Sequence, residues 1–185
     1  MKLSHLLVAS TVAAATATPG FAATKAAPAP IAIPAPPAGK GQIVFYRTGT
    51  MGFALGCSVN ERGQKVSSLG TGKYFIMVAD PGRHEFTVQS EAKDVLALEV
   101  EDGETQFAGC KIKMGIMVGR PDIRPATEAE FRAAKNLKMV DAEDMGPAPG
   151  ALRPEQVAAA LAAPVPEPAA VPAAAAADGP TSASH

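Results

Sequence analysis

The chain has 185 residues, of which 17 are Lys or Arg and 18 are Asp or Glu, so its formal charge is −1. A nucleic-acid-binding protein needs a concentrated basic surface to neutralise phosphates, and this charge balance argues against that class. Trp is absent and aromatic residues make up only 5% of the chain, which argues against a groove that stacks sugars or single-stranded bases.

The first 22 residues have the three parts of a secretory signal peptide. A cationic start at Lys2 is followed by an apolar run over residues 6–17, and small residues end the segment at Ala22. The apolar run is shorter than the ~20 residues that a membrane-spanning helix needs, so an uncleaved anchor is the disfavoured alternative. No cysteine stands directly after the cleavage site at Ala22, which argues against a lipid anchor. We therefore expect a periplasmic or secreted product with no transmembrane segment after cleavage.

Proline separates a central domain from two low-complexity ends. Only Pro81, Pro121 and Pro125 of the 17 prolines lie within residues 40–145, a segment with the size of one domain. Residues 23–39 are rich in Ala and Pro and have too little large apolar surface to fold. They are predicted to form a disordered linker with extended polyproline II character.

The central domain carries a period-two alternation of apolar and polar residues, interrupted by turn residues at short intervals. After a strong turn sequence, Asp-Pro-Gly at residues 80–82, His84, Phe86 and Val88 alternate with polar neighbours. The pattern predicts strands at residues 42–47, 53–59, 64–69, 73–79, 83–89, 96–100 and 108–114. Short strands at such spacing are typical of a sandwich, so we predict an all-β fold, an antiparallel β-sandwich of about seven strands.

One short C-terminal helix is predicted to close the domain, because Thr127 and Glu130 form a capping box. The tail, residues 146–185, is again rich in Ala and Pro. It is predicted to be disordered, with one short helix over residues 154–163, where a proline suits the first helical position. Two alternatives stay open for the linker and the tail: they are spacers that let the domain reach across the envelope, or they have no role.

The two cysteines, Cys57 and Cys110, both fall on apolar faces of predicted strands. Export places them where disulfides persist, and an even count without a leftover thiol favours a structural bridge. Their separation of 53 residues matches no zinc or redox motif. The alternative is a pair of buried free thiols. The pattern also leaves open whether a bridge joins strands of one sheet or of two.

Several short motifs of the domain together resemble one known family. They are Val-Phe-Tyr-Arg at 44–47, Tyr-Phe at 74–75, Asp-Pro-Gly-Arg-His at 80–84, Glu-Asp-Gly-Glu at 101–104 and Gly-x-x-x-Gly-Arg-Pro at 115–121. Over residues 41–140 the chain is similar to a bacterial envelope family catalogued as domain of unknown function 2846. Pro-Gly-x-His before a strand also resembles PEGA-type and carboxypeptidase-regulatory-like sandwiches. The resemblance implies a small exported sandwich without assigned catalytic residues, and this chain departs from lipoprotein relatives by lacking the lipid-bearing cysteine.

The domain offers few residues for catalysis. His84 is its one internal histidine and has no Gly-x-Ser-x-Gly or cysteine partner, so we predict an imidazole at the core edge. Carboxylates cluster over residues 99–104, where an acid/base pair or a calcium site is the alternative, but Glu99 and Glu101 are predicted to pair with Lys111 and Lys113 of a neighbouring strand. The glycines of residues 115–119 do not form a nucleotide-binding loop. We therefore expect a protein that is not an enzyme and has no cofactor.

The alternative function is the carriage of copper in the periplasm. Met77, Met114, Met117 and His84 offer the thioether and imidazole ligands that copper accepts. Methionine on an apolar strand face more often fills a gap in a core, and no methionine-rich tract or His-x-His motif is present. No metal site is predicted on this basis, and copper carriage stays the second hypothesis.

The best candidate for a partner contact is the segment from Gly115 to Arg124. Gly115 and Gly119 mark a bulge or a close approach of the backbone, and Arg120 and Arg124 can present planar guanidinium groups to carboxylate or phosphate. Sandwich domains on proline-rich spacers commonly act through surface contacts. The sequence therefore predicts an exported, non-enzymatic β-sandwich that binds an envelope protein or a cell-wall component.

Overall fold

The computed structural model describes residues 30–51, 54–90, 92–117 and 119–163. The predicted signal peptide, the first part of the predicted linker (23–29) and the end of the predicted tail (164–185) lie outside the described residues. Along the chain the strands and helices are β1 (Gly41–Arg47), β2 (Cys57–Glu61), β3 (Gln64–Leu69), β4 (Lys73–Ala79), β5 (Gly82–Gln89), β6 (Lys93–Val100), β7 (Thr105–Lys113), β8 (Arg120–Ala126), α1 (Glu128–Ala133), β9 (Lys138–Met139) and α2 (Pro154–Ala162), with a 3-10 turn at Ala142–Asp144.

The strands form two sheets. The large sheet has the order β8-β7-β1-β4-β9 and the small sheet the order β3-β2-β5-β6. The predicted all-β sandwich is confirmed, and β8 and β9 add to the seven strands predicted. The large sheet differs from the antiparallel prediction in two pairings, because β1 runs parallel to β7 and β4 runs parallel to β9.

The main core lies between the two sheets. Every second residue of β5 is buried from His84 onward, and the same holds in β6 from Leu96, as the alternation predicts. In the centre, Phe45 stacks on Phe75 with ring centroids 4.8 Å apart, and the edge of Phe86 meets Phe45 at 4.9 Å. The inward faces of both sheets therefore supply one continuous apolar layer.

The large sheet is covered on its outer face as well. Tyr46, Tyr74 and Phe107 surround Phe131 of α1, with ring centroids 5.4 to 5.8 Å apart. Val157 of α2 belongs to the same cluster. All seven residues of β1 are buried because this strand has packed layers on both sides.

Helix α1 begins at the predicted capping box. The Thr127 hydroxyl accepts the Glu130 N–H at 3.2 Å, and the Glu130 carboxylate accepts the Thr127 N–H at 2.9 Å. Part of the predicted linker also packs on this face. Ile31 and Ile33 contact the outer cluster, and the carbonyl of Pro34 accepts a hydrogen bond from the buried Gln42 side chain.

The chain continues into the fold beyond the predicted boundary at Met145. Residues 145–152, here named the closing segment, run between β3 and β4. Backbone groups of Gly146 and Ala148 bond to β3, and those of Gly150 and Leu152 bond to β4. Gly146 is needed for this approach, since a Cβ there would lie 1.9 Å from a backbone oxygen of β3. This first part of the predicted disordered tail is therefore an integral part of the domain.

Strand β8 closes the other side of the sandwich and contains two prolines. Ile123 donates its N–H to the Asp94 carboxylate of β6 at 2.8 Å instead of to β7. Because backbone direction alternates along a strand, Pro121 and Pro125, two residues to either side, also turn their nitrogens away from β7. Proline is tolerated at such edge positions. The segment predicted as an exposed contact loop is thus a strand from Arg120 onward.

Candidate functional site

A disulfide joins Cys57 at the start of β2 to Cys110 in β7, with an S–S distance of 2.00 Å and Cα atoms 6.6 Å apart. The predicted bridge is confirmed, and it links the small sheet to the large one. Cys110 pairs with Arg47, the last residue of β1, so the bridge lies near one end of the sandwich. We name this end, where β1, β5 and β7 finish, the hairpin end, and the other the opposite end.

The β7–β8 hairpin projects from the hairpin end. Strand β7 continues past its last pairing with β1 to Lys113, which pairs with Arg120 of β8. The turn between them begins with the hairpin tip, residues 114–117, in which Met114, Ile116 and Met117 are 81%, 97% and 89% exposed. The prediction that Met114 lies on an apolar strand face is wrong, because β7 ends one residue earlier and Met114 belongs to the turn.

This exposure is concentrated at one end of the molecule. Among the described residues, six large hydrophobic side chains are exposed, and three of them are those of the hairpin tip. A fourth, Met51, lies in the loop that joins β1 to β2 at the same end. The other two, Val95 and Leu161, lie on the outer face of β6 and on α2.

The hairpin tip stands on a packed base. Gly119 lies so close to its neighbours that a Cβ there would approach Ile112 to 2.5 Å and Leu55 to 2.8 Å. The Ser90 hydroxyl of the β5–β6 turn donates to the Gly119 carbonyl at 3.0 Å. The predicted close backbone approach at Gly119 is confirmed, while Gly115 lies half-buried in the turn.

Arg47 holds the loop that packs against this base, and it is completely buried. Its guanidinium donates to the carbonyl oxygens of Leu55, of Leu69 at 3.2 Å and of Met51 at 3.1 Å. Burial lowers the pKa of Arg47. Sequence reasoning did not identify this role, because a basic residue at a strand end usually points to solvent. The one indication in the sequence was that the loop, residues 48–56, contains no charged residue of its own.

A basic collar borders the hairpin tip, formed by Lys93, Lys113 and Arg120. These residues line one shallow groove beside Met114, together with the carboxylates of Asp94 and Asp122. Lys113 forms an ion pair with Asp122 at 2.5 Å; within the part of the chain that the structure describes, Lys93 and Arg120 form none. Three cations against two carboxylates leave the groove with a net positive charge next to the apolar tip.

Arg124, also predicted as a contact residue, lies apart from the tip. It forms an ion pair with Glu130 at 2.8 Å, which raises the pKa of Arg124 and lowers the pKa of Glu130. Both line an open cleft of about 730 Å³ that also includes Tyr46. Burial raises the pKa of Tyr46, the Glu130 charge adds to this and the Arg124 charge opposes it. The structure thus brings Gly115, Gly119 and Arg120 together at the hairpin and leaves Arg124 at a separate cleft.

At the opposite end, His84 is buried against Glu61 and the Asp80 backbone. Its Nε2–H donates to the Asp80 carbonyl at 2.8 Å, and its Nδ1 lies 2.6 Å from the Glu61 carboxylate. Glu61, predicted to lie in a turn, is the last residue of β2 and is 9% exposed. Both ring nitrogens are therefore engaged, and the imidazole lies at the core edge as predicted.

The acidic residues of the opposite end do not pair with the lysines of β7. Glu99 lies on β6 opposite Arg83 of β5, and Lys113 pairs instead with Asp122. The predicted pairing across strands is wrong because β6 and β7 belong to different sheets. At this end Lys40 donates to Asp80, which lowers the pKa of that exposed carboxyl group.

The residues of the copper hypothesis lie in two separate places. Met77, in the main core, and His84 line a small cavity at the opposite end, whereas Met114 and Met117 belong to the hairpin tip. Within residues 30–51, 54–90, 92–117 and 119–163, no group of three or more His, Cys, Asp or Glu is placed to hold a metal ion. The four predicted ligands are not brought together.

Among the described residues, no helix has both the length and the apolar character needed to cross a membrane. Comparison of the chain with protein-family models, with curated protein sequences and with solved structures finds no match. The resemblance to an envelope family stays a prediction, and the candidate site is judged on its geometry.

Proposed function

We propose that this protein is an exported, non-enzymatic β-sandwich that associates with the cell envelope through its hairpin end. The observation that carries the proposal is the exposure of Met114, Ile116 and Met117 on one projecting turn. Large apolar side chains held in water are unfavourable, and clustered ones mark contact surfaces. The hairpin tip is therefore the contact surface in this proposal.

The construction below the hairpin tip supports a contact function. The Cys57–Cys110 disulfide, the close packing at Gly119 and the buried Arg47 fix the strands and the loop on which the tip stands. A surface that is already ordered loses less conformational entropy on binding. The tip is therefore a small apolar surface supported by an ordered base.

Two edges of the sandwich are poorly suited to the addition of a strand by a partner. Partners often bind sandwiches by adding a strand to a free edge. Here the closing segment bonds to β3 and β4, and β8 turns Pro121 and Pro125 outward. An added strand needs a row of free backbone donors and acceptors, which the closing segment occupies on β3 and β4 and which the two prolines interrupt on β8.

Two features support the exported, non-enzymatic part of the proposal. The disulfide favours an oxidising compartment, in agreement with the signal-peptide pattern of residues 1–22. The engagement of both His84 ring nitrogens favours a structural role for the one internal histidine. Copper carriage has no comparable support, since its four ligands lie apart.

The test is co-sedimentation with isolated bacterial envelopes. We expect the purified protein to sediment with them and the variant Met114→Ser/Ile116→Ser/Met117→Ser to stay in the supernatant. The matched control is Val95→Ser/Leu161→Ser, which removes exposed apolar side chains elsewhere and should sediment as the unmodified protein does. Equal sedimentation of the tip variant would overturn the proposal.

Two arginine variants sharpen the test. Arg120→Ala removes a charge of the basic collar and should weaken sedimentation, whereas Arg124→Ala, in the separate cleft, should leave it unchanged. A loss with Arg124→Ala alone would move the contact from the hairpin tip to the cleft. Intact mass after export adds an independent check, because cleavage after Ala22 removes the predicted signal peptide.

A further inference from the structure

We propose that the hairpin tip inserts into the surface of a bilayer that contains anionic phospholipid. This inference names the partner for the envelope association proposed above and rests on it. It is carried by the size of the apolar tip, by the basic collar beside it and by the distribution of charge over the molecule.

The size of the tip favours a lipid surface over a protein partner. A stable protein interface buries about 800 Å² on each partner and involves about 20–30 residues a side. The hairpin tip offers three large side chains on a convex turn, and charged residues follow on both strands. A bilayer needs no complementary pocket, because a few apolar side chains that pass the headgroup layer are enough to bury apolar area.

The basic collar lies where lipid headgroups would meet the protein. Lys113 and Arg120 face each other at the foot of the tip, and Lys93 lines the same groove. When Met114, Ile116 and Met117 enter the acyl region, these cations reach the level of the phosphates. Basic residues next to an inserted apolar segment are attracted to anionic lipid.

The charges of the whole molecule are also distributed so that the hairpin end faces an anionic surface. Among the described residues, charged side chains near the hairpin end are mainly basic: Lys73, Lys93, Lys111, Lys113, Arg120, Arg124, Lys135 and Lys138, against Asp94, Asp122, Glu130 and Asp141. Those near the opposite end are mainly acidic: Glu61, Asp80, Glu85, Glu99, Glu101, Asp102 and Glu104, against Lys40, Arg62, Lys65 and Arg83. A negatively charged surface attracts the first end and repels the second, which orients the hairpin tip toward the bilayer.

The first experiment measures binding of the purified protein to vesicles. We expect co-sedimentation with vesicles of phosphatidylglycerol and phosphatidylcholine in equal parts, and little with phosphatidylcholine alone. Lys93→Gln/Arg120→Gln should weaken binding about 30-fold, since each of the two basic residues near an anionic surface contributes about 1 kcal/mol. The charge-matched control Arg62→Gln/Arg83→Gln, at the opposite end, should bind unchanged, and high salt should weaken binding in every variant.

The second experiment reports insertion directly. The chain contains no Trp, so Ile116→Trp introduces a single tryptophan, which can be excited selectively, at the hairpin tip. Its emission should shift to shorter wavelength when anionic vesicles are added, whereas Leu161→Trp, an exposed site on α2, should show no shift. Equal spectra for Ile116→Trp with and without vesicles would overturn insertion.

The outcomes separate this inference from the proposed function. If envelopes bind the protein through the tip but anionic vesicles do not, the lipid inference fails and a protein or cell-wall partner takes its place. If neither envelopes nor vesicles distinguish the tip variant from the control, both proposals fail. Binding to phosphatidylcholine vesicles that is as strong as binding to anionic ones would also overturn the inference, because the collar would have no role.

Discussion

The two ends of the sandwich place polar and apolar residues in opposite ways. At the opposite end a histidine and a glutamate are buried against each other, and Lys40 is paired with Asp80 at the surface. At the hairpin end a buried arginine supports a loop, while Met114, Ile116 and Met117 extend into solvent. One end hides polar groups inside its packing, and the other exposes apolar ones.

This difference separates stability from contact within one small domain. At the opposite end the His84 ring, the Glu61 carboxylate and the Asp80 carbonyl form one buried hydrogen-bonded group, and such groups stabilise a fold. The hairpin tip contributes almost nothing to the core, since its side chains are exposed. We therefore expect substitutions at the opposite end to change unfolding and substitutions at the tip to change binding.

The largest expected effect is the loss of the disulfide that supports the hairpin end. Cys57→Ala/Cys110→Ala should lower the free energy of unfolding by about 3–5 kcal/mol, because the bridge closes a loop of 53 residues in the unfolded chain. Urea denaturation measures the change. Unmodified protein treated with reductant should follow the double variant, and denaturation at the original midpoint in either sample would contradict the prediction.

Removal of the buried guanidinium comes next. Arg47→Met should cost about 2–3 kcal/mol, because the carbonyls of Met51, Leu55 and Leu69 lose a charged donor. This variant also tests the difference between the two ends: in Arg47→Met, amide hydrogen exchange should become faster in the β1–β2 loop and stay slow around His84. A uniform rise over both ends would show that Arg47 supports the whole domain.

At the opposite end, Glu61→Leu should cost about 1–3 kcal/mol, since the buried His84 ring loses its partner. Glu85→Leu is the matched control on an exposed position of β5 and should change stability by no more than about 0.5 kcal/mol. Thermal unfolding measures both variants. Envelope binding should be retained in Glu61→Leu. Its loss would show that binding depends on the opposite end as well as on the hairpin end.

A pH effect follows from the two buried tyrosines of the large sheet. Burial raises the pKa of Tyr46 and of Tyr74 above the ordinary 10.0. The neutral hydroxyl is thus favoured in the fold, so its contribution is complete below pH 10 and is lost as the pH rises through the higher folded value. The urea midpoint should therefore fall as the pH rises above about 10. Tyr46→Phe/Tyr74→Phe should reduce that fall. If the urea midpoint of this variant depends on pH as that of the unmodified protein does, the fall does not come from these two tyrosines.

The smallest expected change in stability belongs to the hairpin tip. Met114→Ser/Ile116→Ser/Met117→Ser should shift the free energy of unfolding by no more than about 0.5 kcal/mol, because exposed side chains contribute little. Ile112→Ser is the contrasting variant, since this residue is on the same hairpin but buried, and it should destabilise clearly. A large loss in the tip variant would show that the tip is part of the core.

The strands with strict alternation were predictable from the sequence. The inward faces of β5 and β6, the position of Cys57 and the capping box at Thr127 all follow from local patterns that the structure retains. These features depend on neighbours within a few residues. The disulfide was predictable for the same reason, since both cysteines fall on inward faces.

The parts that were missed depend on distant partners. Strand β8 was not predicted because proline normally breaks a ladder, and only its edge position makes Pro121 and Pro125 tolerable. The closing segment has no alternation and takes its place by bonding to β3 and β4. Arg47 and Glu61 were missed because burial of a charge is decided by the groups that the fold brings around it.

The closing segment also decides when the domain can be completed. The first strand, β1, lies between β4 and β7, and the last backbone partners of β3 and β4 come from residues 145–152. Such long-range pairings form slowly compared with local ones. A chain emerging from the ribosome therefore carries unpaired strands until nearly all of the domain has been synthesised. If the chain is exported as proposed, this late completion keeps it unfolded for longer during passage through the membrane, and the pairing of residues 145–152 ends that period.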